Sequence, residues 1–519
     1  MSGPTLHPLI LRNGGRVPLT ALPPAPWSDF ADALLDEVRA GGRVAAYFGA
    51  PLPETDMPGQ AASTLDLFAV IARDESGDLR LLRTRVGERF PSLTPRCAQV
   101  HLFEREIAEQ YGVVVEDHPW FKPVRGHRAW RAGADAWGRA AEAPLVPGDV
   151  DYYRVEGDEV HEVAVGPVHA GIIEPGHFRF QCHGEMVLHL EIVLGYQHRG
   201  IEPQLCGPQA FGARAWQLIE TVAGDTTIGH TTAAALVREA LGGTTATPRA
   251  AALRAVALEL ERLANHVGDI GGLATDIGFL PTASFCGRIR GDYLNLTAGL
   301  CGNRFGRRLV VPGGVAQDLD AALCDRVLAH LKAIERDTRG AVRLFFGTPS
   351  VLARIEGSGC LTPATARELG LVGVAARACG LVQDTRRQHR FPGVSVGPDE
   401  IAVAPDGDVH ARGRVRQREI AISLAWVKEA LGGLPPGEVR VPVAPPAADS
   451  LAVALVEGWR GEIVHVALTD AGGDIARYKI VDPSFHNWSG LAMAMRGEQI
   501  SDFPLINKSF NLSYCGFDL

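Results

Sequence analysis

The chain has 519 residues, of which 46% are hydrophobic and 21% charged, and its formal net charge is −9. This length predicts about three domains, or two large ones. The acidic balance lacks the basic footprint that nucleic-acid binding requires, so no nucleic-acid partner is expected.

Cysteine spacing argues against the common metal clusters. The nine cysteines are scattered, and even the closest two, Cys286 and Cys301, form no CxxC or CxxxC run. We therefore expect no iron–sulfur cluster and no zinc ribbon in this chain, and free thiols in a reducing compartment. The N-terminus has no signal-peptide pattern, and no apolar window is long enough to cross a membrane, so a cytosolic protein is expected unless a partner recruits it.

The N-terminal part has mixed α/β patterning. A helix is predicted over Phe30–Ala40, strands over Val44–Phe48, Leu65–Arg73 and Leu79–Arg85, and a second helix over Leu102–Tyr111. Gly112 then suits a helix C-cap. We assign residues 1–125 to a small α/β domain. Residues 126–155 lose this periodicity and become rich in Arg, Trp, Ala and Gly, which predicts a linker or docking arm.

Residues 156–519 are predicted to form an α-rich domain with small β appendages, giving an α+β fold class. Strands at Val160–Gly166, Phe178–His183 and Met186–Val193 should form an antiparallel meander. Helices are predicted at Ala210–Ala223, Thr231–Leu241, Pro248–Leu273, Ser284–Leu300, Leu319–Thr338, Pro363–Leu369 and Val415–Leu431. At the C-terminal end we predict a helix at Ser450–Trp459, then strands at Glu462–Leu468 and Arg477–Ile480.

Seven short motifs occur in order along this second domain. They are Gly166-Pro167-Val168-His169, Glu174-Pro175-Gly176-His177, Gly195-Tyr196-Gln197-His198-Arg199-Gly200-Ile201-Glu202, Glu259-Leu260-Glu261-Arg262-Leu263-Ala264-Asn265-His266, Val311-Pro312-Gly313-Gly314-Val315, Arg460-Gly461-Glu462 and Asp482-Pro483-Ser484-Phe485. Together they resemble the large subunit of energy-converting nickel–iron hydrogenases of the formate hydrogenlyase type, and the quinone-site (D-type) subunit of respiratory complex I. The block Glu88–Val124 resembles the C-type subunit of complex I, which the hydrogenlyase type carries fused ahead of its large subunit.

The resemblance raises the question of the nickel–iron centre. Hydrogenases of this kind hold it with two CxxC pairs, because soft, electron-rich metals need thiolates. The matching positions here are Ala223, Thr226, Ser484 and Asn487, none of which supplies a thiolate. We therefore expect the metal to be lost and hydrogen chemistry to be disfavoured.

A quinone site of the complex I kind is matched only in part. His169 and Asp276 fall where the resemblance places a loop histidine and its linked aspartate. The second loop histidine, which would bind the quinone headgroup, is replaced by Ile173. The resemblance also implies a tyrosine that hydrogen-bonds the headgroup, and the stretch 221–230 contains none. Ile cannot donate a hydrogen bond or a proton, so a quinone is only a candidate ligand of the cleft.

The resemblance implies a set of cleft residues. His169, Glu202, Asp276, Arg460 and Asp482 would be catalytic, with Glu202 and Asp276 as proton carriers and Arg460 as their charge partner. A second group would line the quinone cleft, namely His198, Arg199, His230 and His266. Plainer interpretations stand beside these: His198 and Arg199 also suit an ordinary turn, His266 suits a hydrogen-bonded core residue, and the histidines at 161–198 match no metal-ligand spacing.

The implied function is that of a peripheral-arm subunit in a membrane-bound respiratory oxidoreductase. Its expected partners are a small subunit carrying a 4Fe–4S cluster, antiporter-like proteins and other membrane subunits, at the cytoplasmic face of the inner (plasma) membrane. An NAD(H) site, where the complex has one, belongs on another polypeptide. The alternative hypothesis is a catalytically silent connector in the same kind of complex, and an active hydrogenase is the least favoured.

Overall fold

The computed structural model describes residues 6–51, 64–140, 142–169, 173–394, 397–398 and 400–519. Its helices and strands give the α+β class expected from the sequence. No helix within these ranges combines the length and the hydropathy needed to cross a membrane.

The N-terminal part is an antiparallel sheet covered by helices. Its elements are β1 (Leu9–Leu11), β2 (Gly15–Pro18), α1 (Trp27–Arg39), β3 (Arg43–Pro51), β4 (Leu65–Arg73), β5 (Asp78–Val86), β6 (Arg89–Pro91), α2 (His101–Tyr111) and β7 (Val114–Glu116). The main sheet has the strand order β1-β5-β4-β3, and β6 pairs in parallel with β7. The predicted helices and strands of this part are confirmed, and Gly112 caps α2 with a left-handed φ of 67°.

The predicted meander follows, and helices after it build the bulk of the second part. The elements are β8 (Val160–Val165), β9 (His177–His183), β10 (Met186–Val193), α3 (Ile201–Gln204), α4 (Ala213–Ile219), α5 (Thr227–Leu241), α6 (Pro248–Asp276), α7 (Leu280–Cys301), β11 (Val310–Val311), β12 (Gly314–Val315), α8 (Ala321–Phe346), α9 (Pro349–Ile355), α10 (Pro363–Glu368), α11 (Gly373–Arg377), α12 (Thr385–Gln388) and α13 (Val409–Gly432). Strands β10, β9 and β8 are antiparallel neighbours in that order, as predicted.

Helix α6 is the central element of this part. It begins where the Thr247 hydroxyl accepts a hydrogen bond from the Ala250 N–H at 3.1 Å, with Pro248 in the first turn. It packs against α7 and α13, and α8 packs against the same two helices. The cleft motif Glu259–His266 therefore lies in the middle of a four-helix core.

A second sheet joins the two ends of the chain. The C-terminal elements are β13 (Ser450–Glu457), β14 (Glu462–Thr469), β15 (Ile475–Val481), α14 (Pro483–Ala494), α15 (Phe503–Phe510) and α16 (Tyr514–Asp518). The strand order is β15-β14-β13-β2, with Pro18 paired to Ser450. The N-terminal strand β2 thus completes a sheet of the second part.

The prediction of a helix at Ser450–Trp459 is wrong, because this segment forms strand β13. All eight residues of the strand are buried. A strand covered on both faces has a continuous apolar run instead of alternation, and such a run cannot be distinguished from a buried helix by periodicity.

Residues 126–155 form no helix or strand within the part that the structure describes, residue 141 being outside it. The segment is nevertheless tied to both parts. The Trp130 N–H donates to the Gln110 carbonyl at 2.7 Å, and the Arg477 guanidinium lies 4.8 Å from the Trp130 ring centroid. The arm therefore docks α2 onto strand β15. The boundaries at 125 and 155 stay a prediction.

Two glycines offer a matched test of this packing. In Gly112→Ala the new Cβ would lie 2.5 Å from the Ala134 Cβ, at a φ of 67°. We expect a loss of about 1 kcal/mol from left-handed strain and about 1–3 kcal/mol from overpacking. Gly133→Ala has the same strain at a φ of 74° but open space around it, so only the first loss is expected. Urea unfolding measures both, and equal losses would contradict the contact.

Candidate functional site

The first pair of positions that the resemblance matches to metal ligands lies where α5 begins. Ala223 is fully buried and offers no polar atom. The Thr226 hydroxyl donates to the Asp225 carboxylate at 3.1 Å and accepts from the Trp459 indole N–H, also at 3.1 Å. The one oxygen available at this pair is therefore committed to protein partners.

The second pair lies in the first turns of α14 and is committed in the same way. The Ser484 hydroxyl accepts the Ser513 N–H at 2.8 Å. The Asn487 amide accepts the Val372 N–H at 3.0 Å and donates to the Val372 carbonyl at 3.1 Å. Asn487 thus clamps the backbone of a neighbouring loop.

This set of side chains does not fit a nickel–iron centre. It offers two neutral hydroxyls, one amide and one methyl group, whereas soft metals select thiolates. In the described part of the chain, no group of three or more His, Cys, Asp or Glu side chains is arranged to hold a metal ion. The positions are filled by structural hydrogen bonds.

We call the region around Ala223, Thr226, Ser484 and Asn487 the cleft. An arginine–carboxylate pair lies in this region, next to Thr226. The Arg460 guanidinium binds both Asp225 oxygens, at 2.7 and 2.8 Å, and its Nε donates to the Asn511 carbonyl at 2.5 Å. It also lies 3.9 Å from the Trp459 ring centroid. Burial would raise the pKa of Asp225, but the charge and hydrogen bonds of Arg460 outweigh it and lower that pKa.

The prediction that Arg460 is the charge partner of Glu202 and Asp276 is wrong. Its bidentate partner is Asp225, which the motif comparison did not single out. Asp225 directly precedes Thr226 and lies between the two motif positions Ala223 and Thr226. Only the fold shows which carboxylate the guanidinium reaches.

A chain of buried hydrogen bonds runs from Asp482 to Tyr478. Asp482 caps α14 and lies 3.1 Å from His230 Nε2; His230 Nδ1 lies 3.1 Å from His465 Nε2; His465 Nδ1 lies 2.9 Å from the Tyr478 hydroxyl. Burial would raise the Asp482 pKa, but His230 and Arg460 lower it, so the carboxylate is ionised. Burial and the neighbouring His230 lower the pKa of His465 well below its usual range.

An ionised Asp482 accepts from His230 Nε2–H. In the tautomer that carries only this ring proton, His230 Nδ1 accepts from His465 Nε2–H. His465 Nδ1 then accepts the Tyr478 O–H. In this tautomer each group donates toward Asp482, and the four residues form one continuous hydrogen-bond chain with the geometry of a proton relay.

Glu202 lies in a different setting from the one predicted. It is buried in α3 and forms ion pairs with Arg477 at 2.9 Å and Lys479 at 3.1 Å, and it accepts the Ile480 N–H at 2.9 Å. Burial opposes ionisation, but the two cations and this amide lower its pKa to about 2. Glu202 is therefore a permanent anion that fastens α3 to strand β15.

Asp276 and His169 contact different parts of the protein. Asp276 ends α6 and is exposed, yet the surrounding protein raises its pKa to about 6 against the opposing charge of Lys508. His169 is half-buried in the β8–β9 loop and donates from Nε2 to the Gly176 carbonyl at 2.9 Å. Ile173 in the same loop is half exposed.

The remaining predicted cleft residues make structural contacts. His198 donates from Nδ1 to the Asp518 carbonyl at 2.7 Å and stacks on His127, with ring centroids 4.5 Å apart. Burial and the charges of His127 and Arg125 lower its pKa to about 4. Arg199 donates to three backbone carbonyls, those of Thr221, Val222 and Cys515. His266 is buried with Nε2 at 2.6 Å from Glu419.

Glu261 is a site residue that sequence reasoning missed. Its carboxylate accepts the N–H groups of Ile228 and Gly229, at 2.8 and 3.2 Å, in the first turn of α5. It shares a small cavity with Asp225. Burial and the Asp225 charge raise its pKa to about 8, although the two amides oppose this. The available signal was the polar pair Glu261 and Asn265, four residues apart on an apolar helix.

Two family models of respiratory-chain subunits match this chain. The family model for the respiratory-chain NADH dehydrogenase 49 Kd subunit matches residues 276–450 and 443–518, and that for the 30 Kd subunit matches residues 48–133. The carbon monoxide-induced hydrogenase of Rhodospirillum rubrum is 30% identical over 352 residues, covering 68% of this chain and 97% of that protein. The chain belongs to the family that unites complex I 49 kDa subunits with membrane-bound hydrogenase large subunits.

Both branches of this family are represented among the relatives. Formate hydrogenlyase subunit 5 of Escherichia coli is 29% identical over 436 residues, covering 82% of this chain and 76% of that protein. NADH-quinone oxidoreductase subunit 4 of Thermus thermophilus is 29% identical over 382 residues, covering 68% and 92%. The resemblance drawn from the motifs is confirmed, including the fused 30 kDa-like part, and the chain is a subunit of a related oxidoreductase.

The Glu202 anion gives a test with a defined pH dependence. Glu202→Gln removes the anion that Arg477 and Lys479 share, leaving Lys479 paired with Glu106 alone, and should cost about 3 kcal/mol. Because the pKa of Glu202 in the folded chain is about 2, against an ordinary value of 4.5, this stability is present above pH 4.5 and is lost as the pH falls toward 2. Unfolding curves at several pH values should show the wild-type advantage only at higher pH. Glu159→Gln, whose side chain is 82% exposed, is the control. Equal effects of the two variants would contradict a structural role for Glu202.

Proposed function

We propose that this chain is a peripheral-arm subunit of a membrane-bound respiratory oxidoreductase, attached at the cytoplasmic face of the inner (plasma) membrane. It would sit beside a small subunit that carries a 4Fe–4S cluster, on antiporter-like and other membrane subunits. Family membership supports this proposal, since one relative is named NADH-quinone oxidoreductase subunit 4 and another membrane-bound hydrogenase subunit alpha, the latter from Pyrococcus furiosus.

We further propose that the cleft couples electron transfer to proton movement without a nickel–iron centre. The observation that carries this proposal is the combination of two features. The side chains at the four former ligand positions are apolar or hydrogen-bonded to protein, while the cleft keeps the Arg460–Asp225 pair and the relay from Tyr478 to Asp482.

The proposed coupling is electrostatic. An electron that arrives at a neighbouring cluster adds negative charge, and a nearby carboxylate in a medium of low dielectric then binds a proton more tightly. Glu261, with a pKa near 8, already holds a proton at neutral pH and is the candidate proton donor. Asp276, with a pKa near 6, is the second candidate carrier. A quinone is the candidate acceptor, near the β8–β9 loop.

A silent connector is the second candidate function. The observation that favours it is that Ser484, Asn487 and Thr226 all hold neighbouring segments in place, as expected of a cleft that has become part of the core. In that case the hydrogen-bond chain from Tyr478 to Asp482 would only stabilise the fold, and no proton transfer along it would be coupled to electron transfer.

Variants of the assembled complex separate the two functions. Glu261→Gln and Asp276→Asn should each lower proton translocation and electron flux several-fold while leaving assembly intact, since both amides are isosteric. Glu356→Gln, on an exposed residue outside the cleft, should have wild-type rates. If translocation and flux survive both cleft variants, coupling through the cleft is contradicted and the connector function stands.

A further inference from the structure

Eight ionisable side chains meet in the core where α6, α11, α12, α13 and β13 converge. They are Glu259, Arg262, His266, Arg377, Asp384, Arg386, Glu419 and Glu457. All but Arg386 are buried, and the Arg386 side chain is only 11% exposed. This charge cluster is separate from the pair that Asp225 and Arg460 form in the cleft.

Three of the four carboxylates in the cluster are densely compensated. Glu259 pairs with Arg262 at 3.2 Å and Arg386 at 3.0 Å, and also accepts the Ser423 hydroxyl. Glu419 pairs with Arg377 at 2.8 Å, with Arg262 at 3.5 Å and with His266.

The third of these carboxylates, Asp384, caps α12. It binds Arg386 Nε at 3.0 Å and Nη2 at 2.6 Å, and Arg377 lies 3.8 Å away. Each of these three anions therefore has two arginine neighbours or a bidentate arginine.

Glu457 is the exception. It receives one arginine nitrogen, Arg377 Nη1 at 2.8 Å, and one amide, the Thr385 N–H at 3.0 Å. On the adjacent strand it lies opposite Glu462, which is itself paired with Arg43 at 2.5 Å. Like charges that lie opposite each other on adjacent strands repel, so two ionised carboxylates are disfavoured at this position.

The charge balance points the same way. The eight side chains comprise four carboxylates and three arginines, an excess of one negative charge when His266 is neutral, and a further arginine, Arg390, lines the adjacent cavity. Burial lowers the pKa of His266, although Glu419 opposes this. Burial raises the pKa of Glu457, with Arg377 opposing and Asp384 reinforcing the rise. One proton is therefore needed, and Glu457 is the carboxylate that holds it at least cost.

A route to this carboxylate also exists. Glu457 lines a partly open cavity of about 40 Å³ together with Glu259, Thr385, Arg386 and Arg390. This volume exceeds the ~10–15 Å³ that a water molecule needs. Water at this position could carry a proton between Glu457 and the surface.

We propose that this cluster is a proton-binding site, with one exchangeable proton on the Glu457 carboxyl that passes through the adjacent cavity. The site is connected to the cleft by four consecutive residues. Arg262 donates to the backbone carbonyls of Glu457 and Gly458, at 2.7 and 3.0 Å, and the next two residues are Trp459 and Arg460. The use of this proton in coupling rests on the proposed function, whereas the presence of the proton on Glu457 does not depend on it.

Infrared difference spectroscopy of the purified full chain tests the bound proton. The spectrum at neutral pH should contain a buried carboxylic-acid C=O band that Glu457→Gln removes and Glu356→Gln leaves unchanged. The band should disappear in the wild-type chain as the pH is raised. An unchanged band in Glu457→Gln would overturn the assignment, whatever the function of the complex.

Unfolding experiments give a second, independent measurement. Glu457→Gln replaces a neutral group with a neutral amide, so its unfolding midpoint should stay close to the wild-type value. Glu259→Gln removes a true anion from two arginines, so it should unfold at a clearly lower denaturant concentration or fail to fold. The wild-type chain should also lose stability as the pH rises through the Glu457 titration, because its native state holds about one proton more than the unfolded chain. Equal destabilisation by the two variants would mean that Glu457 is ionised and would overturn the proposal.

Discussion

A charge removed from water must be paired or neutralised, and this constraint organises the molecule. Glu202 is buried against Arg477 and Lys479, and Lys479 also binds Glu106 of α2 at 2.6 Å. That single network joins the 30 kDa-like part, helix α3 and strand β15. The same requirement explains why Arg460 has a bidentate carboxylate and why the core cluster needs a proton.

The four positions that the family resemblance matches to metal ligands contain no thiolate. Thr226, Ser484 and Asn487 instead form hydrogen bonds to nearby protein groups. Close to Thr226, Asp225 neutralises Arg460. Polar side chains that would otherwise be unpaired in this core are thereby satisfied within the protein.

Much of the fold could be predicted from the sequence, because local patterns determine it. Alternation predicted β9, capping predicted the end of α2 at the left-handed Gly112, and the order of the motifs predicted the family. Strand β13 could not be predicted, since a doubly buried strand shares its apolar pattern with a buried helix. The pairing of β2 with β13 depends on contacts between residues more than 400 positions apart, which no local pattern records.

Only part of the predicted residue set is brought together by the fold. His230 and Asp482 do meet, as their shared assignment to the cleft suggested, at 3.1 Å. The roles of Glu202, Asp225 and Glu261 depend on which charges the tertiary fold brings near them. A carboxylate with two cations becomes a permanent anion, whereas a buried one beside another carboxylate keeps its proton to a higher pH even when two backbone amides oppose this.

Metal analysis of the purified, assembled complex tests most directly whether the cleft operates without nickel. Nickel should be at background level, far below one atom per chain, while iron should match the clusters of the partner subunits. One nickel per chain that is retained after treatment with a chelator would contradict a metal-free cleft.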